Sequence, residues 1–450
     1  MHGTPVIAIF DIGKSNKKLI CFDGQYRIVL EQSATLQQVR DEDGYPCEDL
    51  QGLRRFILDG VSELMGNPEL DIIGINFSAY GASLVYLDQE GNPLTPLYDY
   101  LKPYPETLLN SFLENYGGKD DITVQTCSPL MGSLNSGLQL YRIRHQQPEV
   151  FGQIYQALHL PQYLSWLLTG KPISGFTSLG CHTMLWDFAR QDYHDWVRRE
   201  GLHEKLAPIY PESDVQPVMI GKKRVWTGMG LHDSSAALIP YRLTFQDPFV
   251  LLSTGTWSVS MNPFNTESLT SGDLSRDCLN YLNAEGKAVK ASRFLSGPIY
   301  DLGTKLIAAH FQLNPGIFAQ MPFDRNLLKP VLRNMDLSGT GYQFRPEIYS
   351  TAAQAYHGLM QDLVEFQQNS TRMVFGHLGI RNLFVDGGFC RNTIFMHLMK
   401  EAFPDLVVQA ANAGQASAMG AALIMHEIWN AGPISRDFNP TCNLICTTNC

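Results

Sequence analysis

The feature that most constrains this chain is an order of elements that occurs twice. Val6 to Phe10 is an apolar run ending in Asp11-Ile12-Gly13, and a second run, Leu19 to Phe22, follows a short polar turn. Near residue 246 the pattern restarts. Phe249 to Leu252 leads into Ser253-Thr254-Gly255-Thr256, and Trp257 to Met261 continues as a strand. Short apolar runs bounded by Gly and Asp turns read as buried strands joined by hairpins. In the first half, Ile28 to Leu30 extends the hairpin to a meander. Leu53 to Met65 then has helical spacing, and Ile72 to Phe77 and Leu84 to Leu87 read as strands. The second half continues with a helix from Ala352 to about Phe375 and a strand from Leu383 to Val385. The turn Asp386-Gly387-Gly388 follows, then a helix from Asn392 to Ala402, a strand from Leu406 to Gln409 and a helix from Gln415 to Trp429. No sequence repeat accompanies this shared order. It predicts an α/β chain of two domains, 1–245 and 246–450, a number that 450 residues accommodate.

Within the first half lies an aromatic-rich stretch, 93–225, with helical patterns at Glu106 to Tyr116 and Leu158 to Leu168. An insertion of this kind after a compact start is expected to build a pocket wall or lid. The net charge is −10, and the longest basic block is Lys222-Lys223-Arg224. A nucleic-acid partner, which needs a concentrated basic face, is therefore not expected. No apolar run reaches the ~18 residues of a membrane helix. The start, Met1-His2-Gly3-Thr4-Pro5, lacks the basic-then-apolar layout of a signal peptide, so a cytoplasmic protein is expected. The nine cysteines are scattered, as reduced thiols would be. Cys442, Cys446 and Cys450 read as a loose reduced tail rather than a metal site, because no His or close Cys-x-x-Cys pair accompanies them.

The chain has no G-x-x-x-x-G-K-[ST] loop, no G-x-G-x-x-G, no H-E-x-x-H and no G-x-S-x-G. What remains is a set of Gly-bearing turns. In Asp11 to Lys18, Gly13 permits close backbone approach to a ligand, and Ser15, Asn16 and backbone N–H groups suit phosphate oxygens. Lys14, Lys17 and Lys18 add positive charge, and Asp11 at a strand end suits magnesium through water. A surface hairpin with a solvated basic turn would read the same way. Ser253 to Thr256 repeats the logic, although Thr-Gly-Thr is also a common turn. Asp386-Gly387-Gly388 can seat a nucleoside against bare backbone, or be a plain strand-to-helix turn. His232-Asp233-Ser234 opens a helix of small residues. Its acid is either an N-terminal cap or a general base placed to take a proton from an attacking hydroxyl.

Taken in order, these pieces resemble the FGGY carbohydrate kinases, a branch of the actin, Hsp70 and hexokinase superfamily. Within that family the chain looks most like rhamnulokinases and L-fuculokinase-like members. The likeness rests on Ser253-Thr254-Gly255-Thr256-Trp257-Ser258, on Gly387-Gly388-Phe389-Cys390-Arg391-Asn392, and on His232 before the acid, where xylulose and glycerol kinases usually carry Gln. The resemblance implies two ribonuclease-H-like (actin/hexokinase-type) domains around a central cleft. It implies phosphorylation of a ketose, such as L-rhamnulose or L-fuculose, by ATP and Mg2+. A kinase for another sugar or polyol, and a catalytically silent sugar-binding regulator, are the alternatives. Carried over residue by residue, Asp233 is the proton acceptor. Gly13, Lys14, Ser15, Asn16, Lys17, Lys18, Gly255 and Thr256 contact the ATP phosphates. Gly387, Gly388 and Asn392 take the nucleoside. Tyr80, Gly81, His232, Asp233 and Ser234 take the sugar, and Asp11 the magnesium. A cytoplasmic monomer or homodimer, acting on small molecules alone, is expected.

Two departures from the family pattern bear on the sugar. Where rhamnulokinases usually have Asp-Thr-Trp-Gly-Val-Asp, this chain has Ser78-Ala79-Tyr80-Gly81-Ala82-Ser83. Ser78 and Ser83 are expected to replace two carboxylates of the polyol pocket. Gln415 stands where the closing motif usually has Glu.

Overall fold

A computed structural model describes residues 3–328, 343–411 and 415–434. The tail cysteines Cys442, Cys446 and Cys450 lie outside the described residues. Two sheets dominate. In the first, Thr4–Ile12 pairs antiparallel with Lys17–Asp23, which pairs antiparallel with Ile28–Ala34. On its other side Thr4–Ile12 runs parallel to Leu70–Ala79, and that strand runs parallel to Lys223–Gly228 and Leu231–His232. In the second sheet Phe249–Thr254 pairs antiparallel with Ser258–Asn262, which pairs antiparallel with Ala288–Phe294. Asn382–Gly387 and Val407–Ala410 follow in parallel on the other side. The two sheets thus share one topology, as the repeated order of elements predicts. In each, the parallel strands end at the same edge, where ligands of α/β proteins gather.

Each sheet has two covered faces. Leu53, Ile57, Val61 and Leu64 of the Leu50–Gly66 helix pack on Val6, Ala8 and Phe10 of the first sheet. Leu359, Met360 and Leu363 of the Ala352–Arg372 helix pack on Val250, Leu252 and Val385 of the second. The inner faces are covered crosswise. The Asp233–Thr244 helix, from the first half, sets Ala237, Leu238 and Tyr241 against Phe249, Leu251 and Phe384. The Ala416–Leu423 helix, from the second half, sets Ala418, Ala421 and Ala422 against Ile7, Ile9, Ile20 and Phe22. These two helices touch backbone to backbone: a Cβ on Gly420 would lie 1.9 Å from the Ala236 carbonyl oxygen. Only glycine fits there.

The 93–225 stretch carries its own aromatic core of Tyr98, Phe112, Tyr141, Trp186 and Trp196. It reaches the second sheet, where Gly180 meets Leu282. Two sequence expectations are corrected. Residues 158–168 do not form one helix. Gln156–His159 is a strand paired with Leu84–Leu87, because Val85 and Leu158 are in register across the ladder, and the helix is Leu160–Thr169. Residues 415–429 are two helices, Ala416–Leu423 and His426–Trp429, broken where the Trp429 indole donates to the Ala422 carbonyl at 3.1 Å. No helix among the described residues is long and apolar enough to cross a membrane.

Replacing Gly420 by Ala is expected to cost about 1–3 kcal/mol, since the methyl meets backbone rather than a side chain that can move. The control is Gly152→Ala, where nothing lies within 4 Å of the added Cβ. Its effect should stay within about 0.5 kcal/mol. Urea unfolding of both variants measures the difference.

Candidate active site

The strand ends of the two sheets face one cavity of about 350 Å3. The first sheet contributes Lys14, Tyr80, Gly81, His232, Asp233 and Ser234, and the second Thr254, Gly255, Thr256, Asp386 and Gly387. Asp233 reaches it because Leu231–His232 pairs with Ser78 and Ala79, which carries residue 233 to the sheet edge at the start of its helix. Its Oδ1 accepts from Ser234 N at 2.6 Å and Ser234 Oγ at 3.2 Å, and lies 3.2 Å from His232 Nε2. Burial pushes His232 down to about 3, so the imidazole is neutral. Burial pushes Asp233 up to about 6, against the lowering effect of Ser234. His232 also meets the Cys181 thiol at 3.1 Å. His232 and Ser234, read as sugar contacts, thus both touch and orient the acid.

Asp11 sits beside this cavity, with both carboxylate oxygens accepting from Ser417 Oγ at 3.0 Å. Burial, and next the Asp233 charge, push it up to about 6. Asp386, whose Oδ1 accepts from Gly387 N at 2.6 Å, is pushed by burial up to about 7. Three carboxylates in and around one cleft are thus held above the usual range. A divalent cation would reverse that, so the residues present fit one. Among the described residues no group of three His, Cys, Asp or Glu converges on a metal site. Magnesium keeps several waters and leans on phosphate oxygens.

The first turn divides. Gly13 N donates to Asn16 O at 2.9 Å, closing the hairpin. Lys14 lines the cavity, with its Nζ 2.9 Å from Asp99 and over the rings of Tyr80 and Tyr100. Ser15 and Asn16 are exposed at the turn and do not line the cavity. Lys17 is buried on the opposite sheet face, 2.7 Å from Glu48, because strand residues alternate in direction. It is not among the cavity-lining residues. Lys18, on the same face as Asp11, pairs with Glu31 at 3.1 Å.

The second turn and the Asp386-Gly387-Gly388 turn are locked together. Thr254 Oγ1 donates to the Asp386 carbonyl at 2.5 Å and accepts from Phe389 N at 3.0 Å. Gly387 has φ of 85°, and a Cβ there would lie 1.8 Å from the Thr254 carbonyl oxygen. Gly297, at the start of the Ser296–Phe311 helix, donates its N–H to the Thr256 carbonyl at 3.1 Å. A second cavity of about 510 Å3 opens from Gly255 and Thr256 and is lined further by Tyr300, Asp301, Gly388 and Asn392. The Asn392 side chain is already engaged: Oδ1 caps the next helix at Phe395 N, and Nδ2 donates to Tyr356 at 2.7 Å.

Ser78 and Ser83 were expected in the sugar pocket, and neither lines it. Both are buried, Ser78 at 0% and Ser83 at 1% exposure; the Ser83 hydroxyl has no hydrogen-bond partner, and the Ser78 hydroxyl faces the Asp11 carboxyl and acts to lower its pKa. Ser78 stands in register with Asp11 inside the sheet, and the Ser83 carbonyl is taken by Leu160 N. Gln415 does line the cavity, donating to Glu31 at 2.8 Å. Sequence reasoning missed Tyr100, His182, Tyr281 and Arg293, which also line it. The first two lie in the irregular insertion and the last two on strands of ordinary alternation, so no local pattern marks them.

Paired sheets of one topology, with phosphate-type turns facing across a cleft, define the fold of two-domain sugar kinases. The chain belongs to the FGGY family of carbohydrate kinases: residues 6–215 match the N-terminal domain of that family and residues 246–319 its C-terminal domain. Among curated relatives, a rhamnulokinase of Halalkalibacterium halodurans is 23% identical over 261 residues, 55% of this chain and 54% of that protein. The match thus spans about half the length of the relative. Among solved structures, a carbohydrate kinase from Novosphingobium aromaticivorans superposes with a TM-score of 0.75 at 24% identity, over 96% of this chain and 93% of that one. A xylulose kinase from Lactobacillus acidophilus does so with a TM-score of 0.74 at 16% identity, over 94% and 89%.

Because the Asp233 charge helps raise Asp11, Asp233→Asn should bring the Asp11 pKa down from about 6. Carboxyl carbon NMR of the ligand-free protein reads that shift directly.

Proposed function

We propose that the protein is an ATP- and magnesium-dependent kinase that phosphorylates a hydroxyl of a ketose, with Asp233 as the general base. The observation that carries this reading is the position of Asp233 at a helix start, across one cavity from the Thr254–Thr256 turn. Oδ1 takes the Ser234 and His232 contacts, which leaves Oδ2 to accept a substrate proton. Near pH 7 a carboxyl at about 6 is mostly ionised yet basic enough to take a proton from a hydroxyl as it attacks phosphorus. Lys14, the N–H and hydroxyl of Thr256 and the N-terminus of the Ser296–Phe311 helix are the groups suited to the phosphates. Asp11 is the residue suited to hold hydrated magnesium, which supplies neutralisation of phosphate charge when bound. The 510 Å3 cavity, with Tyr300 and bare Gly388, suits the nucleoside. Catalysis would then be mainly positioning and charge neutralisation. We further propose two domains, 1–245 and 246–450, that close on the ligands by pivoting about the crossing of the Asp233–Thr244 and Ala416–Leu423 helices.

The sugar is proposed to be a deoxyketose, L-rhamnulose or L-fuculose. The relatives are named rhamnulokinase, and Gly81, Ala82, Leu134 and Val259 give the cavity apolar lining that suits a methyl group.

Asp233→Asn should lower kcat by about 10²–10⁴-fold. The wild-type kcat/KM should fall below about pH 6, as Asp233 protonates and can no longer accept. A mutant turning over at the wild-type rate would remove Asp233 from the mechanism. In a coupled assay of ADP formation, L-rhamnulose or L-fuculose should exceed D-xylulose and glycerol in kcat/KM by about 10-fold or more. Xylulose or glycerol as best substrate would overturn the deoxyketose and leave the kinase standing. A panel in which no sugar is phosphorylated would overturn the kinase.

A further inference from the structure

One wall of the 350 Å3 cavity is used neither by the phosphate turns nor by Asp233. It is made by the loop 180–185 and the strand Ala288–Phe294, and two buried polar side chains from different halves of the chain line it. His182 is 7% exposed and Arg293 5%.

His182 has φ of 42° and Met184 φ of 61°, a left-handed backbone that residues other than glycine rarely adopt. The surroundings hold this conformation in place. Asn135 Nδ2 donates to the His182 carbonyl at 2.7 Å, Gly137 N to the Thr183 carbonyl at 2.9 Å, and Thr183 Oγ1 to the Leu179 carbonyl at 2.7 Å. Backbone held this way against its preference is concentrated at ligand sites. The ring has a fixed tautomer. Nδ1 lies 3.0 Å from the Leu134 carbonyl, which can only accept, so Nδ1 carries the proton and Nε2 the lone pair. Burial first, and the Arg293 charge next, hold the imidazole well below its ordinary value, so it stays neutral. The polar atom left on this cavity-lining ring is an acceptor.

Arg293 supplies the complement. Asp277 accepts from its Nη2 at 2.7 Å, and the Trp257 ring lies 4.9 Å from Cζ. Nη2 also meets Met131 Sδ and Nε is enclosed, so Nη1, which no hydrogen bond occupies, is the guanidinium nitrogen left for a ligand in the cavity. A guanidinium only donates, and the charge of this one is close enough to act on His182. A group that accepts from the guanidinium and donates to the imidazole is a hydroxyl. A carboxylate would bring a second acceptor against the Nε2 lone pair, with the Arg293 charge already balanced by Asp277.

Resting on the sugar-kinase reading above, we propose that His182 and Arg293 together read one hydroxyl of the sugar and make this wall selective for neutral sugars over the matching sugar acids.

The test uses three variants with the wild type as reference. His182→Gly removes the acceptor at a position where glycine's backbone is relaxed. His182→Asn keeps a left-handed conformation and restores a shorter acceptor. Arg293→Met removes the donors. Steady-state kinetics and calorimetric titration of the ketose without nucleotide are measured on each. The expected result is a sugar KM and Kd raised about 10-fold or more in His182→Gly, with a smaller change in kcat and partial recovery in His182→Asn. The wild type should prefer the ketose over the sugar acid of equal carbon number by about 10-fold or more. An unchanged sugar KM and Kd in a folded His182→Gly overturns the proposal while leaving the kinase intact, as does equal use of the sugar acid. If Arg293→Met unfolds, the His182 pair alone decides. If no sugar is phosphorylated or bound by the wild type, both the kinase and this wall fall.

Discussion

The arrangement depends on one contact, the crossing of two helices of small residues. Gly420 lies against the Ala236 carbonyl, with no room for a methyl group between them. Each helix comes from one half of the chain and covers the sheet of the other, so the crossing ties both sheets together. It also sets the chemistry. Asp233 begins one helix, and Ser417, in the first turn of the other, holds both oxygens of Asp11. The separation of the two acids therefore follows from how closely the helices approach. A bulkier crossing would move Asp233 and Asp11 apart and loosen their electrostatic coupling.

That coupling gives the cleft its character. Asp11, Asp233 and Asp386 are all raised by burial, to about 6, 6 and 7. Of the nearby cations, Lys17 is committed to Glu48, Lys18 to Glu31 and Lys14 to Asp99. The cleft has surplus negative charge without its ligands, and a cation with its phosphates is the chemical complement of such a site. The neutral histidines work in the same direction: His232 and His182 are held unprotonated by burial, so neither offsets the carboxylates.

The cavity is assembled from three stretches remote in sequence. The strand end at Tyr80 and Gly81 forms its floor, the insertion supplies Tyr100, Leu134 and His182, and the second sheet supplies Trp257, Tyr281 and Arg293. Such a pocket can change its lining through the insertion while the glycine turns stay as they are. Ser78 and Ser83 show the reverse case. They stand out in the sequence as departures from the family pattern, yet they are enclosed and do not line the cavity.

The sequence alone determined the architecture and singled out the acid at a helix start that lines the cavity. Apolar runs of strand length, punctuated by Gly and Asp turns, are local signals, and their repeated order predicts two sheets of one topology. His232-Asp233-Ser234 is likewise a local signal, because a helix start and its acid are neighbours in the chain. Helix ends and pairings were legible only in part. Leu158 is drawn into a strand by its register with Val85, and Trp429 interrupts a helix that reads as continuous. What tertiary structure decided is which face each side chain meets. Of five polar residues in one turn, Lys14 lines the cavity and Lys17 is buried behind the sheet, a difference set by strand alternation and by Glu48 thirty-one positions on. His182 and Arg293, 111 residues apart, share a wall because a loop held in a left-handed conformation meets a strand of the other half. Contacts of that kind depend on long-range packing, which no short stretch of sequence encodes.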